Sequence, residues 1–151
     1  MKCLGVATAA LVLTASLAGL ASLAGGDGNG DSPWTAPEEA ATRPNPVAPT
    51  SASVENGKAV YEKYCLSCHG LDGRGKGPVA SRLGFFAGDL TDGKRMSAQT
   101  DGGIFWKIAT GRDPMPAFKE AGTLSDDQIW NVINFTRTFA PPADEKDPPG
   151  E

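Results

Sequence analysis

Three side chains near the middle of the sequence stand close enough to act together: Cys65, Cys68 three residues later, and His69 directly after the second thiol. One helical turn between the two thiols lets both reach points along the same edge of a flat group. In this arrangement the thiols add across the two vinyl groups of a porphyrin, and the adjoining imidazole swings under the iron as its proximal ligand. Cys65-Leu66-Ser67-Cys68-His69 therefore reads as an attachment signature for haem c. Zinc is the first rival, but a structural zinc site needs four ligands. The chain has one histidine, and its remaining cysteine is Cys3. A thioredoxin-like C-x-x-C sits after a strand in a βαβ unit, whereas here the motif follows a helix-patterned segment.

The sixth iron position follows from scarcity. A second histidine does not exist, and the methionines are Met1, Met96 and Met115. Met1 lies in the leading segment, which leaves Met96, Met115 or an open position. Met115 sits in Gly111-Arg112-Asp113-Pro114-Met115-Pro116, where prolines on both sides hold an extended loop that presents a thioether. Met96 sits among Lys94, Arg95 and Ser97, a polar context that suits a surface loop. Met115 is the favoured ligand.

Three helices are expected to position these groups. The first spans about 54–64, with Ser53 as N-cap and with Val54, Gly57, Lys58, Tyr61 and Cys65 at helical spacing. The second spans about 102–110, preceded by Asp101 and stopped by Gly111. The third opens on a capping box, Ser125 to Gln128, continues through Ile129, Trp130, Val132, Ile133 and Phe135, and ends before Pro141. The Gly-rich stretch 70–103 reads mostly as loop, and no alternating strand pattern appears. The expected fold class is all-α.

Outside this domain, placed at 54–140, three segments read differently. Residues 1–24 carry one basic residue and then an uncharged run ending Ser22-Leu23-Ala24, the pattern of a cleaved export signal. An uncleaved membrane anchor is the alternative, since the run approaches the length of a span. Residues 25–53, rich in glycine and proline, read as a flexible linker with an exposed Trp34, and 141–151 as a disordered acidic tail. The domain holds 11 Lys and Arg against 10 Asp and Glu, a net of +1, while the whole chain carries −4. No clustered basic patch suggests a nucleic-acid partner, and a nearly neutral domain gives modest electrostatic steering.

Over about 54–140 the chain resembles class I monohaem cytochromes c. The likeness rests on four segments: ENGKAVYEKYCLSCHG, GRGKGPVA, GRDPMPAF and LSDDQIWNVINFTRTF. The resemblance implies a cytochrome c fold with the first and last helices crossing, Gly57 and Tyr61 meeting Trp130 and Phe135. It further implies that the carbonyl of Pro78 accepts the N–H of His69, a bond that would fix the ring. Trp106 and Arg112 would flank the haem propionates.

The expected function is single-electron transfer between redox partner proteins through a haem c ligated by His69 and Met115, at the periplasm or the outer face of the cytoplasmic membrane. A nitrogen–thioether ligand pair favours a raised potential. Two alternatives carry different expectations. One is a fixed haem subunit of a membrane respiratory complex, since the segment from Asn45 to Gly70 also looks like monohaem subunits of assemblies such as alternative complex III. The other is an open-site haem enzyme or sensor, which needs no methionine ligand.

Overall fold

The computed structural model describes residues 34–140. The expected export signal or anchor (1–24), the first part of the linker (25–33) and the acidic tail (141–151) lie outside the described residues. Within them the chain is all-α: α1 (Glu38–Ala41), α2 (Ser51–Tyr64), α3 (Leu66–His69), α4 (Pro78–Leu83), α5 (Gly93–Ser97), α6 (Asp101–Thr110) and α7 (Asp126–Arg137). No helix among the described residues is long and apolar enough to cross a membrane.

The three expected helices are α2, α6 and α7. α7 begins where Ser125 accepts from the Gln128 N–H at 3.3 Å and the Gln128 side chain accepts from the Ser125 N–H at 2.9 Å. This reciprocal cap satisfies two amide donors that have no partner inside the helix. Apolar residues then recur at helical spacing and bury Ile129, Trp130, Val132 and Ile133. Each such side chain stabilises the fold by about 1.5–3 kcal/mol when removed from water. α7 stops at Arg137, ahead of Pro141.

α2 crosses α7, and glycine makes the crossing possible. A Cβ on Gly57 would lie 2.6 Å from the Asn131 carbonyl carbon and 2.9 Å from the Phe135 Cβ, inside any real contact. Tyr61, one turn on, is buried against Phe135, with ring centroids 5.2 Å apart. Its hydroxyl donates to the Gly70 carbonyl at 2.7 Å, tying α2 to the residue after His69. Burial pushes the phenol's pKa well above its ordinary value, so the group remains a donor.

The linker expectation is corrected over 34–53. Residues 51–53 belong to α2, whose N-cap is Thr50 rather than Ser53. Residues 34–50 form a strap laid across α6 and α7. Gly102 lets it approach, since a Cβ there would meet the Arg43 carbonyl oxygen at 2.5 Å. The Arg43 guanidinium lies 4.6 Å above the Phe105 ring and 5.1 Å above the Trp130 ring, which stack on each other. Buried Asn134 donates to the Val47 carbonyl and to Ser53 Oγ, and its own oxygen accepts from Asn45. Trp34, expected to be exposed, is half-buried with its ring centroid 6.5 Å from that of Trp106. Composition judged the strap by the apolar surface it carries itself. Its contacts instead come from cation–π and amide groups, and its prolines reduce the entropy lost on ordering.

Met96 is a second correction. It is 2% exposed, not on a surface loop. Asp92 caps α5, and within that short helix Met96 turns inward while Lys94 and Arg95 point elsewhere. Arg137 fastens this region to α7. It donates to the carbonyls of Met96 and Gln99, both at 2.6 Å, and to Asp101 at 2.7 and 3.0 Å.

Candidate functional site

Cys65, Cys68, His69 and Met115 line one cleft. The cleft has a volume of about 210 Å³ and opens to solvent. Its wall is built from the strap, α2, α3, α5 and two loops. α2 ends at Tyr64, Cys65 caps it, and α3 turns Cys68 and His69 on from there, with the His69 N–H donating to the Cys65 carbonyl at 2.9 Å.

Met115 is brought in from 46 positions further along the chain by a loop with its own scaffold. Gly111 ends α6 with φ of +64°, a conformation that residues with a Cβ rarely adopt, and a Cβ there would strike the Pro116–Ala117 peptide at 2.5 Å. The turn that follows closes with two backbone bonds, Arg112 N–H to Met115 O at 3.0 Å and Met115 N–H to Arg112 O at 2.8 Å. Beyond it the Phe118 N–H returns to the Ile108 carbonyl at 3.1 Å, and buried Phe118 also lines the cleft. The thioether is thus presented by backbone geometry together with packing of Met115 against the core.

The protonation states suit a covalently bound porphyrin. Both thiols are free. Burial first, then the neighbouring Cys68, pushes the Cys65 thiol up to about 12, so it stays a neutral S–H at physiological pH. A redox-active or nucleophilic cysteine needs the opposite shift. Burial also lowers the His69 pKa; the Gly88 backbone works against this and the Arg95 guanidinium adds to it. The ring is therefore neutral, the form that binds metal. Among the described residues no group of three or more His, Cys, Asp or Glu side chains converges to hold an ion. The donor set, two free thiols, a neutral imidazole and a thioether on one cleft, fits haem c and does not fit zinc.

Pro78 is corrected. It is the first residue of α4, where its missing N–H is tolerated, and it does not line the cleft. His69 Nδ1 is buried and makes no hydrogen bond. The Gly77 N–H bonds to the Cys68 carbonyl at 2.9 Å, and α4 follows directly. The backbone that bears on the imidazole is Gly88's instead. Arg112 lines the cleft. Trp106 does not; it packs behind Trp34, which does. Sequence reasoning missed Trp34, Phe85, Phe86 and Arg95, all on the wall. An apolar Phe85–Phe86 pair inside a Gly-rich loop was the available signal for two of them.

Comparison with known proteins agrees with this geometry. No curated relative matches the chain. Among solved structures, it is similar to a chain of the Kuenenia stuttgartiensis reducing HAO-like protein complex Kustc0457/Kustc0458, at 32% identity and a TM-score of 0.52. That match covers 63% of this chain and 47% of the other, so the likeness spans about half of that protein's length. A family model described as cytochrome c oxidase, cbb3-type, subunit III matches residues 52–135. With more than half of its length matched, this chain belongs to that family of c-type cytochrome domains, class I-like in fold, with haem c as cofactor and haem-based electron transfer as its chemistry.

Proposed function

We propose that this chain is an exported electron carrier holding one haem c, bonded to Cys65 and Cys68 and ligated by His69 and Met115. The observation that carries the reading is that these four side chains, the last remote in sequence from the others, line a single cleft. The haem supplies a one-electron couple, and a histidine–methionine ligand pair sets that couple at a raised potential.

The chain's own residues do the rest. Cys65 and Cys68 would hold the group covalently, each through addition of its S–H across a vinyl double bond. His69 is kept neutral by burial and so offers a lone pair without first losing a proton. The Arg112–Met115 turn holds the thioether in place, so a small molecule entering the cleft competes with an intramolecular ligand. Phe118 and Tyr64 cover the inner wall with apolar surface, and Arg112 would offer a cation to the carboxylates of the group.

The test is an absorption spectrum of the purified protein with pigment extraction into acidified organic solvent. The proposal expects colour to stay with the polypeptide and the oxidised form to show the weak near-infrared methionine–iron band. Colour passing into the solvent refutes the thioether bonds, and a missing band refutes Met115 as ligand.

A second reading is a fixed haem subunit of a membrane respiratory complex, with redox proteins as partners. It is favoured by the similar solved chain, which comes from a protein complex. Cell fractionation separates the two. Release with the soluble periplasmic fraction supports the free carrier, and retention in membranes after salt washing supports the subunit. Retention with the cytoplasmic fraction refutes export.

A further inference from the structure

The strap meets the cleft at Trp34. Trp34 lines it together with Arg112, Pro114 and Met115. Its indole is enclosed on several sides. The Trp106 ring packs against it, the Arg112 guanidinium lies 4.9 Å from the ring centroid, and the Lys107 ammonium lies 5.6 Å away. Arg112 is also one half of the two-bond turn that fixes Met115. A contact that restrains Arg112 therefore restrains the methionine through the shared backbone.

The three groups have no common local origin. Lys107 belongs to α6, Arg112 to the loop after it, and Trp34 to a strap that reaches the site by crossing α6. The strap itself is fixed independently of the cleft, through Asn45, Asn134 and Arg43. Trp34 is thus a preformed abutment rather than a side chain that follows the loop. The loop's backbone is tied to α6 on both sides of the turn, Gly111 N–H to the Lys107 carbonyl and Phe118 N–H to the Ile108 carbonyl; Trp34 adds a side-chain restraint at Arg112, between those two ties.

Resting on the ligation proposed above, we infer that Trp34 is a positioning residue for the methionine ligand: the strap's aromatic ring, gripping Arg112 and Lys107, holds the Arg112–Met115 turn over the cleft. Its loss leaves the haem attached and weakens methionine retention.

The experiment measures carbon monoxide binding to the reduced, full-length holoprotein well below its melting temperature, because carbon monoxide occupies only the fraction with methionine detached. Losing an aromatic contact with two cations shifts that equilibrium by about tenfold, so apparent affinity for carbon monoxide rises by the same factor. Trp34→Ala should show this rise, and Trp34→Phe, which keeps a smaller ring, a smaller one. Thr136→Ala, which weakens α7 away from the cleft, controls for general loosening and should leave the affinity at the parent value. Unchanged affinity in both Trp34 variants overturns the inference, as does an equal rise in Thr136→Ala. If Trp34→Ala does not accumulate, Trp34→Phe decides alone. A parent protein that lacks the methionine band overturns the underlying ligation instead, and is read before any variant.

Discussion

Replacing Gly57 by alanine adds one methyl group where α2 crosses α7, and two effects oppose each other there. Alanine is a better helix former by about 1 kcal/mol, so an exposed glycine in α2 would be improved by the change. At Gly57 the new carbon meets the Asn131 carbonyl, 2.6 Å from its carbon atom, and the Phe135 Cβ at 2.9 Å. Neither can rotate away, because the first is backbone and the second is the root of a side chain wedged against Tyr61. Overpacking of this kind costs about 1–3 kcal/mol, and an immovable neighbour places it at the upper end. The net expectation is a loss of about 2 kcal/mol, or a fall in melting temperature of about 10 °C for a domain of this size. Thermal and urea unfolding followed by circular dichroism measures it, with the urea slope unchanged. A variant as stable as the parent, or more stable, would mean that helix propensity outweighs the contact and that α2 and α7 do not approach as closely as described.

Met115→Ala should leave the haem covalently attached while removing the methionine–iron band and letting the reduced protein bind carbon monoxide readily; a parent that already binds it as well refutes the ligand assignment. Ser125→Ala removes half of the reciprocal cap on α7 and should cost about 1 kcal/mol in urea unfolding, with a change below a few tenths counting against the cap. The hydrogen bond from Lys119, with the charges of Lys119 and Arg43, holds the Asp126 carboxyl below its ordinary range. A depressed carboxylate stabilises above its unfolded pKa of about 3.9, and that contribution is lost as pH falls through the folded value. Asp126→Asn should therefore be less stable than the parent at pH 7, by under ~1 kcal/mol because the pair is well exposed. The two should converge on acidification, and a difference that persists below both pKa values contradicts the assignment.

How much was legible in the sequence depended on whether a signal was local. The thiol pair with His69, the Ser125–Gln128 cap and the proline-flanked Met115 are each complete within a few residues, and each names its own geometry. Gly57 was readable for a related reason, since a helical glycine is costly unless a second backbone needs its space. Met96 was misjudged because its charged neighbours lie on other faces of α5, and a helix turns successive residues about 100° apart. Pro78 was carried over by resemblance; it opens α4, and His69 Nδ1 finds no hydrogen-bond partner. The strap left no local trace at all. What orders it lies on α6 and α7: a glycine that makes room, two stacked rings under Arg43 and a buried amide at Asn134.

The fold divides its labour in a way that makes stability and ligation separable. The α2–α7 crossing and the Arg137 clamp join distant elements by buried side chains, so damage there spreads through the whole cooperative unit. The methionine turn is held by bonds within four residues and by contacts at its own ends. Opening it breaks local bonds and the packing of Met115 against the core, and can proceed without global unfolding. Trp34 stands between the two regimes: the strap behind it is fastened to the stable helices, while its ring bears on the turn. If that division holds, Gly57→Ala lowers the melting temperature and leaves carbon monoxide affinity at the parent value, whereas Trp34→Phe does the reverse. A Gly57→Ala protein that loosens its methionine at temperatures where it is fully folded would show that the crossing, not the strap, sets the position of the ligand.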